Sequence, residues 1–146
     1  MGKSYTADYY FLSGALCGVA WPQVWDNAAS SAYTATWTAL HTADPGAAGY
    51  QGTSEVNYTG YARVSVTRST AGWSVSTSAG TAKPVSAITF PQATSTSTMT
   101  ASYFSVGSAS VSTAGTIIYS GAISPTIDIS QNVTPRLTTS STITES

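Results

Sequence analysis

From Tyr33 to the C-terminus, short stretches of alternating apolar and polar residues are separated by turn residues, and no helical period is sustained. In TATWTALHT, 34–42, Trp37, Ala39 and His41 fall on one face and Thr36, Thr38 and Leu40 on the other. In GYARVSVTRS, 60–69, Tyr61, Arg63, Ser65 and Thr67 oppose Ala62, Val64, Val66 and Arg68. Further strands are predicted at 72–77, 85–91, 98–110, 115–124, 126–133 and 136–146, with Pro91 closing one and Gly107 marking a bulge or an end. Connections this short suit antiparallel pairing, since parallel strands need long crossovers. The pattern predicts an all-β fold, an antiparallel β-sandwich of jelly-roll type with about eight strands. Two longer loops, 43–59 and 77–84, are the expected places for contacts with other molecules.

Residues 1–31 follow a different pattern. Tyr5, Tyr9, Tyr10, Phe11, Trp21 and Trp25 crowd a segment broken by Gly14, Gly18 and Pro22, and the partial helical spacing fits a short helix or an extended arm. We therefore divide the chain into an N-terminal aromatic segment, 1–31, and a β-sandwich domain, 32–146. The apolar run YYFLSGALCGVAW, 9–21, has one lysine before it, Lys3, and an acid beside it, Asp8, which argues against a secretory signal. It is too short to span a bilayer as a helix.

At 146 residues the chain fits one domain. Charged residues make up 8% of it, against about 25% in ordinary soluble domains. The acids are Asp8, Asp26, Asp44, Glu55, Asp128 and Glu145, and the bases are Lys3, Arg63, Arg68, Lys83 and Arg136. A net charge of −1 without a basic cluster argues against nucleic acid and against an anionic membrane as partners. Serine and threonine, 24 of each, favour strands with a polar outer face. A surface so poor in charge does little to keep copies of the chain apart. The one cysteine, Cys17, lies in an apolar run and reads as a small buried hydrophobe.

The residues that carry chemistry are few. One His and one Cys do not make a zinc site of the usual kind. His41 could serve as a general base for one of many hydroxyls, but no G-x-S-x-G elbow is present. The carboxylates form no cluster suggestive of glycoside hydrolysis. His41 therefore reads as a residue at a strand end, and Asp44-Pro45-Gly46 as the turn that follows it. Asn57 and Asn132 match the glycosylation acceptor pattern, which means little without a secretory signal. The aromatic residues suggest packing and assembly, with a carbohydrate platform as the competing reading.

Leu40, Thr42, Ala43, Asp44 and Pro45, then Glu55, Val56, Gly60, Tyr61, Ala62 and Arg63, then Ile88, Phe90 and Pro91, and last Tyr119, Gly121 and Ala122 match a series of motifs that recurs among members of a known family. Over 33–146 the chain resembles small structural proteins of tailed bacteriophages, described as head decoration (cement) or tail-fibre-associated proteins. That resemblance implies a β-sandwich with no cofactor and no enzymatic activity. It implies a virion protein, in the first reading a decoration protein on the outer surface of the head, a homotrimer whose partners are its own copies and the major capsid protein. The alternative is a tail-fibre or baseplate-associated module that binds host-surface carbohydrate. Tyr5, Tyr9, Tyr10, Phe11, Leu12, Trp21 and Trp25 are the expected assembly contacts. Asp44, Pro45, Gly46, Glu55 and Arg63 are expected to act structurally.

Overall fold

The computed structural model describes residues 4–20, 33–46, 50–111 and 115–144. Among these residues one helix, α1 (Tyr5–Cys17), is followed by nine strands: β1 (Ala35–His41), β2 (Val64–Thr67), β3 (Trp73–Val75), β4 (Thr81–Pro84), β5 (Ile88–Thr89), β6 (Met99–Gly107), β7 (Ile117–Ile129), β8 (Arg136–Leu137) and β9 (Ile143–Thr144). They form sheets of order β2-β1-β6-β7, β3-β4-β9 and β5-β8. The pairs β1–β6, β3–β4, β4–β9, β5–β8 and β6–β7 are all antiparallel. The class is the one expected: all-β and antiparallel, with a short N-terminal helix.

The chain divides into two compact units, Met1–Thr36 with Val66–Ala87 and Thr138–Ser146, and Trp37–Ser65 with Ile88–Leu137. In the first unit, α1 is capped at both ends by local chemistry. The Ser4 hydroxyl accepts the Ala7 N–H at 3.2 Å, and Asp8 lies in the first turn, where a negative charge suits the helix dipole. At the other end Gly18 takes the left-handed conformation, φ 71°, and the Val19 N–H returns to the Ser13 carbonyl at 3.1 Å. The last turn holds no basic residue of its own. Arg68 supplies one from outside, donating to the carbonyls of Ala15 at 2.8 Å and Gly14 at 2.5 Å. Leu12 and Leu16, one turn apart, are fully buried, and α1 packs on β3 and β4. Trp73 anchors the same unit, with its indole N–H donating to the Thr36 hydroxyl at 3.2 Å and its backbone carbonyl accepting the Cys17 thiol at 3.5 Å.

The second unit centres on β1, which lies between β2 and β6. Its core includes Leu40, Val56, Tyr58, Phe90, Ala101, Phe104, Val106 and Ile129. The Tyr61 ring stacks on Phe90 with centroids 6.2 Å apart, and Tyr58 meets Tyr61 edge-on at 5.3 Å.

The strand boundaries depart from the sequence reading in three places. Segment 77–84, read as a loop, holds β4, because Ala82 and Pro84 alternate inward beneath the pairing Trp73↔Pro84 and Val75↔Ala82. Segments 115–124 and 126–133 contain a single strand, β7. Pro125, which falls between the two predicted segments, is accommodated because β7 is an edge strand and the register jumps there. Ala122 pairs with Tyr103 and Ile127 with Ala101, so the four residues 123–126 oppose Ser102 alone. Segment 136–146 is cut into β8 and β9 by a turn in which the Ser141 N–H bonds the Thr138 carbonyl at 3.0 Å.

The clamp of Arg68 on α1 is directly testable. Arg68→Ala should destabilise the protein by about 1–3 kcal/mol, since charged hydrogen bonds to helix-end carbonyls are lost. Arg68→Lys should recover only part of that, because one ammonium does not reproduce the guanidinium fork. Urea unfolding followed by circular dichroism measures both.

Candidate functional site

Within the second unit the polar side chains converge on the end of β1. After His41 the chain turns out through 43–46 and comes back antiparallel, so that Glu55 bridges His41. The Val56 N–H bonds the Leu40 carbonyl at 3.0 Å and the Thr42 N–H bonds the Ser54 carbonyl at 2.8 Å. This return places Glu55 beside Arg63. The guanidinium grips the carboxylate twice, Nε to Oε1 at 2.7 Å and Nη2 to Oε2 at 2.9 Å. The two side chains are only 1% and 5% exposed. Nη1 donates to the Ala109 carbonyl at 2.9 Å and more weakly to Gln51 Oε1 at 3.4 Å. Tyr61 Oη donates to Glu55 Oε1 at 2.8 Å and accepts the Leu40 N–H at 3.2 Å. Burial first, then the adjoining Glu55 carboxylate, raise the Tyr61 pKa far above the ordinary phenol value, so it stays a donor.

Gln51, fully buried, extends the cluster. Its Nε2 donates to the Trp37 carbonyl at 2.8 Å and its Oε1 accepts the Ala109 N–H at 3.2 Å. The side chain lies so close to β6 that a Cβ on Gly107 would stand 2.2 Å from Gln51 Cδ, which explains why the strand ends in glycine.

His41, also fully buried, has both ring nitrogens engaged. Nδ1 lies 2.8 Å from the Thr53 carbonyl, and Nε2 lies 2.8 Å from Ser105 Oγ. A carbonyl only accepts, so Nδ1 carries the proton and Nε2 accepts from the Ser105 hydroxyl. Burial pushes the His41 pKa below its ordinary value, with the Thr53 carbonyl opposing the shift. A serine paired to a histidine resembles a nucleophile and its base. However, His41 and Ser105 are both 0% exposed, and a backbone carbonyl stands where an acid would orient the ring.

Asp44 and Gly46 are exposed and Pro45 is buried. The Gly46 N–H bonds Asp44 Oδ1 at 2.9 Å, closing an Asx-type turn after β1. Of the N-terminal residues, Tyr5 begins α1, Tyr9 and Tyr10 are half-buried and in edge contact at 5.2 Å, and Phe11 is 41% exposed. Leu12 is spent on the core of its own unit. Trp21 and Trp25 lie outside the described residues. Beside α1, a cavity of about 550 Å³ is lined by Tyr9, Ser13, Cys17, Trp73, Ser74 and Lys83 among others. Burial raises the Cys17 thiol pKa, with Arg68 acting the other way, so the thiolate is disfavoured. Among the described residues no group of His, Cys, Asp or Glu is placed to hold a metal.

Gln51, Tyr61, Ser105 and Arg68 were not singled out as site residues. Tyr61 alone carried a signal, as part of the Gly60 to Arg63 pattern. The others meet their partners only through chain reversals of 12 to 64 residues.

Arg63 and Glu55 are thus spent on each other, and His41 on Thr53 and Ser105. The family model for podophage GP4 fiber I protein gp80 matches residues 22–144, and the chain belongs to this family. It is a phage structural protein and a component of the virion. No curated protein matches the chain.

Arg63→Ala should cost about 3–5 kcal/mol, as removal of one member of a buried pair leaves the other charge uncompensated. Arg63→Lys, which keeps the charge but not the fork, should lose at least about 1 kcal/mol. Both are read as a fall in the urea midpoint. For His41 the folded pKa lies below the unfolded value of 6.5. Its contribution is therefore complete above pH 6.5 and declines as pH falls from there towards the folded pKa, because the unfolded chain takes up a proton that the fold refuses. His41→Gln should flatten that part of a stability-against-pH curve.

Proposed function

We propose that the protein is a non-enzymatic component of the phage tail fibre rather than a decoration protein of the head. The observation that carries this reading is the match of 22–144 to a family of fibre proteins. The burial of the His41–Ser105 pair supports a role without catalysis, since no substrate reaches either group in this arrangement. The low charge supports assembly with copies of itself and with other virion proteins, and gives nucleic acid no basic surface to bind. Among the described residues no helix is long and apolar enough to cross a membrane.

The cavity beside α1 favours one addition, binding of a host-surface saccharide. The half-buried ring of Tyr9 and the hydroxyls of Ser13, Thr70, Ser74 and Thr139 line a space of the size small ligands occupy. Gold-labelled antibody against the protein should mark the tails of intact virions, and label on the head shell would overturn the fibre assignment. On a glycan array the purified protein should retain a subset of saccharides and Tyr9→Ala should lose them. Absence of binding would remove the saccharide role and leave the fibre role standing.

A further inference from the structure

The residues that line the cavity beside α1 all belong to the first unit. Their exposure is graded: Trp73 and Pro84 are buried, Tyr9 is half-buried, and Ser74, Lys83 and Thr139 are exposed. Ring and aliphatic surface is thus joined by hydroxyls and a charge on the solvent side.

The alternation of β4 accounts for the position of that charge. Ala82 and Pro84 turn inward, so Lys83 between them turns out to solvent. Lys83 also pairs with Ser74 across the β3–β4 ladder, and residues directly opposed in a sheet project from the same face. The Lys83 ammonium and the Ser74 hydroxyl therefore leave the sheet side by side, and both line the cavity.

Among the described residues that line the cavity, Lys83 carries the only formal charge, and none is an acid. Asp8, an acid of the same unit, is buried and is not part of the lining. Among the described residues the Lys83 ammonium has no carboxylate partner. The positive charge of Arg68 is felt at Cys17, while its guanidinium is turned to the Ala15 and Gly14 carbonyls. The cavity is therefore biased towards a negative ligand. Its one lysine is a point charge, which matches one anionic group and not a phosphate-rich polymer, for which basic residues cluster.

On the basis of the saccharide reading above, we propose that the ligand of this cavity is a saccharide bearing a single negative charge, held by the Lys83 ammonium beside the Ser74 hydroxyl. A carboxylate and a sulfate ester are the two ordinary sources of such a charge on a sugar. On a glycan array the full chain should retain saccharides containing a hexuronic acid or a sulfated hexose in preference to neutral counterparts of the same linkage. Those two classes tell the sources of the charge apart.

Isothermal titration calorimetry with a retained acidic saccharide and its neutral counterpart should show an advantage of about threefold or more for the acidic one, the size expected of a solvent-exposed ion pair. Raised salt should shrink that advantage. Lys83→Gln should erase it without weakening the neutral sugar, Lys83→Arg should keep it, and Lys83→Glu should reverse it. General damage to the site would instead weaken both sugars together. Lys83 is exposed, and circular dichroism verifies that each variant folds. Retention of neutral saccharides alone, or an acidic advantage that survives Lys83→Gln, would overturn the proposal and leave the saccharide reading standing. An array that retains nothing would remove both.

Discussion

The Arg63 guanidinium holds together parts of the chain that regular pairing leaves apart. Its donors reach Glu55 in the returning loop, Ala109 beyond the end of β6, and Gln51 between them. A buried cation is tolerated only when its donors are met, and here a bidentate carboxylate supplies both charge and geometry. Glu55 in turn receives Tyr61, whose hydroxyl accepts an N–H from β1. The strand end, the loop and the chain beyond β6 are therefore fixed relative to one another by one ionic group.

The same economy applies to His41. Buried, with its proton donated to the Thr53 carbonyl, it serves as a crosslink between β1, the returning loop and β6. Arg68 does the corresponding work in the first unit, where a helix without a basic last turn takes its cation from the chain after β2. In each case a polar side chain satisfies backbone carbonyls that neither strand pairing nor helix bonding reaches.

The polar side chains at the end of β1 are thus buried and spent on holding the chain together. The exposed face of the protein is hydroxyl-rich and weakly charged, so the contacts open to it are packing and short-range polar bonding. Electrostatic steering is not available to it. The cavity beside α1 is one place where such a contact would have a defined shape.

The all-β class followed from the sequence, because alternation with a period of two and frequent turn residues are local properties. The end of β1 near His41 and the Asx turn at Asp44 were legible for the same reason, as both depend on neighbours within a few residues. Helix α1 was left open between helix and arm because apolar residues lie all around it, with Phe11 exposed opposite buried Leu12 and Leu16, so periodicity had little to report. The strand in 77–84 was hidden because proline and glycine there argue locally for a loop, whereas pairing with β3 settles the backbone. The predicted gap at Pro125 shows the opposite case. A proline breaks a central strand but not an edge, and edge position is a property of sheet order. The partners of Arg63, Arg68 and His41 were decided by tertiary structure alone. Residue types announce that a buried charge needs a partner, but only the folded chain brings Glu55, Ala109 or Ser105 within 3 Å of it.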